Sequence, residues 1–148
     1  MCRGFSLVMM VVSIAVLGIL AAIAIPGMRD VQDLRLSAAS RRMVCDMRYA
    51  QDLAMRTGIT HSVEFSGTGY LLTLEGGGAV EDPSFKGRPF AVDLDSEFPG
   101  VSISTSFPGN SISFDERGIP ESGGSVTLVL GGSSSVLAVE ENTGRISY

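Results

Sequence analysis

The stretch FSLVMMVVSIAVLGILAAIAIPGM, residues 5–28, carries no ionisable side chain across 24 positions. Wound as an α-helix at about 1.5 Å per residue it reaches roughly 36 Å, enough to cross a hydrocarbon core of about 30 Å. Two readings of that length are open. In one the run is a membrane anchor, oriented by Arg3 and the amino group on its short N-terminal side, with the polar remainder across the bilayer. In the other it is a secretory signal peptide with Ala22-Ile23-Ala24 as a small-x-small cleavage site and a product that starts at Ile25. The run is longer than an ordinary signal core, and a helical pattern continues after it. Both points favour the anchor.

After Pro26 and Gly27, the apolar residues Leu36, Ala39, Met43, Met47, Ala50 and Ala54 recur at steps of three and four. That spacing places them on one face of an amphipathic helix, with Arg35, Arg41, Arg48, Gln51, Asp52 and Arg56 on the others. The apolar face is expected to pack on the protein's own distal domain, and a second stripe of Val31, Leu34 and Ala38 is available to neighbouring copies. Gly58 is a good stop, because glycine enters the left-handed conformation freely. From residue 5 to residue 57 the helix would measure about 80 Å. A bend is expected at Pro26, whose ring removes a backbone hydrogen bond and crowds the preceding turn.

Beyond Gly58 the period shortens to two. Residues 61–65 (HSVEF) and 70–74 (YLLTL) flank Ser66-Gly67-Thr68-Gly69 and read as a β-hairpin. A strand is expected within residues 88–94, and short alternating segments occupy 101–104 and 111–114. Residues 125–130, 135–140 and 145–148 form a meander with turns at Gly131-Gly132 and Asn142-Thr143-Gly144. The fold class is therefore α+β, a long N-terminal helix followed by a small antiparallel β-sheet domain.

The chain has 148 residues and a net charge of -5, unevenly placed. Residues 29–57 hold six Arg against four Asp, whereas residues 58–148 hold four basic against twelve acidic side chains. An acidic distal domain repels phosphate backbones and disfavours non-specific nucleic-acid binding. Cys2 is not expected to be a lipoprotein cysteine, with only Met1 before it here, and Cys45 reads as a small packing residue. His61 is the single histidine, expected at the surface or half-buried, and no nucleophile and base are spaced for catalysis. The glycine runs at 76–78 and 131–132 lack the lysine of a phosphate loop. Asp93, Asp95 and Glu97 offer oxygen ligands to calcium if their loop curls, a weak pattern set against an ordinary solvated loop.

Gly4-Phe5-Ser6-Leu7-Val8, followed by an uncharged helix ending Ile23-Ala24-Ile25-Pro26, strongly resembles the class III signal of type IV pilins and type II secretion pseudopilins. Three further segments resemble the GspH/FimT group of minor pseudopilins: residues 49–58 (YAQDLAMRTG), residues 112–118 (ISFDERG) and residues 143–146 (TGRI). The resemblance implies a leader of residues 1–4 cut between Gly4 and Phe5 by a prepilin peptidase, and N-methylation of Phe5. It also implies a membrane and filament-core helix over 5–28 bent at Pro26, an amphipathic stalk over 29–57, and a β-rich periplasmic domain over 58–148. The implied location is the bacterial inner membrane, crossed once. The implied partners are major and minor pseudopilins and the inner-membrane assembly platform, with no catalytic residue, cofactor or metal.

One position departs from the pattern. The family normally has glutamate at the fifth mature residue, where its carboxylate neutralises the terminal amine of a neighbour; here that residue is Met9. The leading function is a structural minor pseudopilin for protein export. The alternative is a FimT-like minor pilin of a type IV pilus, with DNA uptake disfavoured because Gly144-Arg145-Ile146-Ser147 lacks the second arginine of a Gly-Arg-x-Arg motif. A third class, a secreted enzyme or binding module beginning at Ile25, is predicted by the signal-peptide reading.

Overall fold

The structure, a computed structural model, describes residues 7–24 and 27–148, with side chains over 7–21 and from Val31 onward. The chain divides into two units, one ending at Leu34 and one running from Arg35 to Tyr148. In the first, α1 (Leu7–Ala24) is followed by the start of α2 (Gly27–Thr57). Pro26, the expected bend, lies between these helices and outside the described residues. The 18 residues of α1 amount to about 27 Å, short of a bilayer core of about 30 Å. Among the described residues no helix is long and apolar enough to cross a membrane. The expected 24-residue span includes positions outside them.

In the second unit, Leu36, Ala39, Met43, Met47, Ala50 and Ala54 are all buried, as the three-and-four spacing requires. Val44 joins them, and the buried Ser40 donates its hydroxyl to the Leu36 carbonyl at 2.8 Å, so no polar atom on this face is stranded. The helix stops where expected: Gly58 adopts φ +66° and its N–H closes on the Ala54 carbonyl at 3.0 Å.

Eight strands follow: β1 (His61–Phe65), β2 (Gly69–Leu74), β3 (Ala91–Asp93), β4 (Ser102–Thr105), β5 (Ser111–Phe114), β6 (Gly124–Leu130), β7 (Ser133–Val139) and β8 (Ile146–Ser147). They form two antiparallel four-stranded sheets rather than a single one, in the orders β3-β2-β1-β5 and β4-β6-β7-β8. The chain changes sheet three times, after β3, after β5 and, between these, after β4. There Phe107 is buried against Phe65, with ring centroids 6.2 Å apart, and a 3₁₀ turn at Pro108–Asn110 redirects the chain. One continuous core joins the α2 face to the inward residues of both sheets, among them Val63, Leu72, Ile112, Phe114, Val126, Leu128 and Leu137.

Three expectations are corrected. The strand sought within 88–94 is only Ala91–Asp93: Pro89 has no N–H for a ladder, and Asp93 already caps the short helix α3 (Leu94–Glu97). His61 is buried rather than superficial, because it shares the inward face of β1 with Val63 and Phe65. Cys45 is exposed and free, two positions and about 200° around the helix from Met43, so it is no packing residue.

Candidate assembly site

The described part of α1, LVMMVVSIAVLGILAAIA, contains no charge, and every described side chain from Leu7 to Ala21 is exposed. A helix that is apolar all round is suited to burial on all sides, in lipid or among other helices. Met9 is 65% exposed on this helix, and its carbonyl accepts the Ser13 hydroxyl at 2.8 Å. A thioether there offers no charge to a neighbouring amine. Gly4 and Phe5, the expected processing and methylation positions, lie outside the described residues. Farther along, Val31, Leu34 and Ala38 are exposed on α2, Leu34 at 72%.

The three distal segments singled out in the sequence meet in space. The Gln51 amide donates to the Gly118 carbonyl at 2.7 Å and reaches the Gly144 carbonyl at 3.5 Å. One turn earlier, Arg48 donates to the Ile146 carbonyl at 3.2 Å. The Gly118 loop is shaped by Asp115, whose carboxylate accepts the N–H groups of Arg117 and Ile119. Thus the helix segment 49–58, the loop after β5 and the β7–β8 turn are tied by side chains of α2.

Gly144 fits this knot for two separate reasons. It adopts φ +65°, and a Cβ would stand 2.5 Å from the Gln51 Nε2 and 2.6 Å from the Gly118 carbonyl oxygen. Gly144→Ala is therefore expected to cost about 2–4 kcal/mol, combining left-handed strain with loss of the Gln51 hydrogen bonds. Gly132→Ala, at an open position without positive φ, is expected to stay within about 0.5 kcal/mol. Denaturant midpoints of the two variants check the contrast.

A second tie was not foreseen in the sequence. Asp46 is buried, accepts the Tyr70 hydroxyl at 2.5 Å, and accepts Arg42 Nε at 2.8 Å through the same Oδ2. Burial first, then the Asp46 charge and hydrogen bond, push the Tyr70 phenol far above its ordinary range. The Asp46 hydrogen bond, against partial desolvation, holds Arg42 firmly protonated. The only local signal was the i,i+4 spacing of Arg42 and Asp46; Tyr70 is on another element.

The acids of the 93–97 segment are engaged with neighbouring groups of the chain. Asp93 accepts the Asp95 N–H at 3.1 Å, Asp95 accepts the Gly100 N–H at 2.7 Å, and Glu97 lies 3.9 Å from Arg42. Among the described residues, no group of His, Cys, Asp or Glu side chains is placed to hold a metal ion. His61 Nδ1 lies 2.8 Å from the Ile59 carbonyl, a local backbone contact. Exposed Cys45 borders a groove of about 750 Å³ lined also by Arg42, Tyr49, Phe85, Arg88 and Phe90.

Comparison with known proteins now decides the family. The description "Type II transport protein GspH" matches residues 39–143, well over half of the chain. The chain belongs to the GspH family. The matched span takes in the buried face of α2 from Ala39, the Asp46 and Gln51 ties, and both sheets up to the β7–β8 turn. No match arises among curated proteins. Among solved structures, the Pseudomonas aeruginosa type IV minor pilin FimU is similar in two crystal forms, each at 16% identity. One has a TM-score of 0.58, covering 78% of this chain and 89% of FimU; the other has a TM-score of 0.55, covering 76% and 90%. At that identity the likeness is one of fold, and it makes this GspH-family chain pilin-like. Membership implies assembly with other pilins or pseudopilins.

Proposed function

We propose that this GspH-family chain is a structural minor pseudopilin that joins or primes a short periplasmic filament of a type II secretion system, serving protein export. The observation that carries the reading is the family match over residues 39–143. The uncharged surface of α1 supports it, since lipid and a bundle of neighbouring helices are alternative apolar surroundings for one segment. In this reading residues 1–4 are a leader, removed between Gly4 and Phe5 by a prepilin peptidase, and Phe5 is N-methylated. Residues 5–28 cross the inner membrane once, bend at Pro26 and later enter the filament core, with residues 58–148 in the periplasm. The partners are major and minor pseudopilins and the inner-membrane assembly platform. The role is structural, with no catalytic residue, metal or cofactor assigned. Met9, unable to neutralise an adjacent amine, fits a specialised place such as the tip or an initiating complex better than the repeating shaft.

The likeness to FimU favours a second reading, a minor pilin of a type IV pilus. Deleting the gene separates the two: loss of an exported protein with pili intact supports the first, and loss of pili with export intact supports the second. DNA binding is not part of either reading, given twelve acidic against four basic residues over 58–148.

The shared premise is tested by intact-mass and N-terminal peptide analysis of the membrane fraction, with and without a coexpressed prepilin peptidase. The expected product begins at N-methyl-Phe5 and depends on the peptidase. A mature start at Ile25, or a chain that keeps Met1 in the presence of active peptidase, would remove the filament mechanism.

A further inference from the structure

Residues 79–82 and 88–90 form a small hairpin beside β2, on the side where β3 lies. Ala79 bridges Thr73, the Val80 N–H donates to the Leu72 carbonyl at 2.9 Å, and the Asp82 N–H donates to the Arg88 carbonyl at 2.9 Å. The hairpin fixes its tip with its own acids: Asp82 Oδ1 accepts the Ser84 N–H at 2.7 Å, and Glu81 Oε1 accepts the Gly87 N–H. What the tip presents outward is therefore aromatic and cationic. Phe85 is 58% exposed, the Arg88 guanidinium stands 5.6 Å over its ring, and Lys86 is exposed beside it. Among the described residues neither Lys86 nor Arg88 joins a salt bridge, and these two are half of the cations in residues 58–148.

The opposite edge of the same sheet, outside β5, carries a pocket of about 350 Å³ lined by Thr60, Ser113, Asp115, Ile119, Pro120 and Glu121. Ile119 and Pro120 give it an apolar wall. Asp115 and Glu121 add two carboxylates, and among the described residues neither joins a salt bridge. Asp115 is held in place by the N–H groups of Arg117 and Ile119. The pocket thus offers the same two kinds of surface as the tip, with the charge reversed.

Tip and pocket also share one row of the sheet. Ala79 bridges Thr73, Thr73 pairs with Ser62, Ser62 pairs with Ser113, and the Ser113 carbonyl accepts the Glu121 N–H at 2.9 Å. A second copy in the same orientation, displaced sideways along this row, brings its tip to the pocket without turning over.

We infer that the hairpin tip of one copy seats in the β5-edge pocket of a second copy of this chain. Phe85 lies against Ile119 and Pro120, with Lys86 and Arg88 at the carboxylates of Glu121 and Asp115. The ring supplies most of the affinity and the charges set the register. Because the tip is already held in shape, little freedom is lost on seating. The contact is heterologous, so each joined pair keeps one tip and one pocket free, and the row can continue. Neither export nor pilus assembly is assumed, and failure of this contact would leave both readings standing.

The test uses the full chain expressed in cells as two differently tagged forms, with Cys2 and Cys45 replaced by serine in both. One form carries Lys86→Cys and the other Glu121→Cys. Oxidation is expected to give a mixed-tag disulfide dimer, in about tenfold excess over the yield when Ser104→Cys, on the other sheet, replaces Glu121→Cys. Adding Phe85→Ala or Arg88→Glu to the Lys86→Cys form is expected to lower the mixed yield about tenfold. Equal yields from the two pairings, insensitivity to both tip changes, or disulfides to a different polypeptide in place of the pair would each overturn the inference.

Discussion

Replacing Phe114 with alanine is expected to remove about 3–5 kcal/mol from the β domain, the largest effect of any single side chain considered. Phe114 is 0% exposed on β5, pairs with His61 across the ladder to β1, and bridges to Pro120 on the strand's other side. The cavity left by a phenyl ring is hemmed in by these elements, so relaxation can recover little of the lost contact. Domains of this size have only about 5–15 kcal/mol in all, and the corresponding fall in Tm is about 10–20 °C. Circular dichroism melts of the detergent-solubilised full chain provide the measurement. A fall below about 5 °C would mean that the two sheets close around the vacancy.

Asp46→Ala is expected to cost about 2–4 kcal/mol, whereas Tyr70→Phe is expected to cost about 1 kcal/mol. The difference follows from what each change leaves behind. Without Asp46 the buried Tyr70 hydroxyl has lost its acceptor; without the hydroxyl, Asp46 retains Arg42. The tie also has a pH signature. Tyr70 is raised in the folded state above its unfolded value near 10, so its contribution is complete below that pH and is lost as the pH rises past it. Phenolate absorbance from Tyr70, obtained as the difference between the parent and Tyr70→Phe, is expected to appear only together with unfolding. Its appearance in a still-folded protein near pH 10 would show that Asp46 and burial do not restrain it.

Much of this architecture was legible because it is local and periodic. The α2 face from Leu36 to Ala54 follows from helical spacing alone, and the hairpin around Ser66-Gly67-Thr68-Gly69 from the change to a period of two. The same reasoning, carried one step further, would have turned His61 inward with Val63 and Cys45 away from Met43. Division into two sheets was not legible. Residues 102–105 and 111–114 alternate alike, yet one segment pairs with β6 and the other with β1, a choice made by distant partners. Asp46 was hidden for the same reason: an acid on a helix reads as solvated until Tyr70, 24 residues away, is brought beside it. At the motif cluster the sequence marked all three segments, while the physical link between them depends on the Gln51 side chain.

The positions of the α2 ties bear on how the domain responds to mechanical tension. Asp46, Arg48 and Gln51 grip β2, the β8 end and two loops from successive levels of one helix. A tug along that helix therefore strains these fastenings in shear and together, whereas a sideways peel would undo them one after another. Drawn lengthwise, the helix and the sheets behind it travel as one piece.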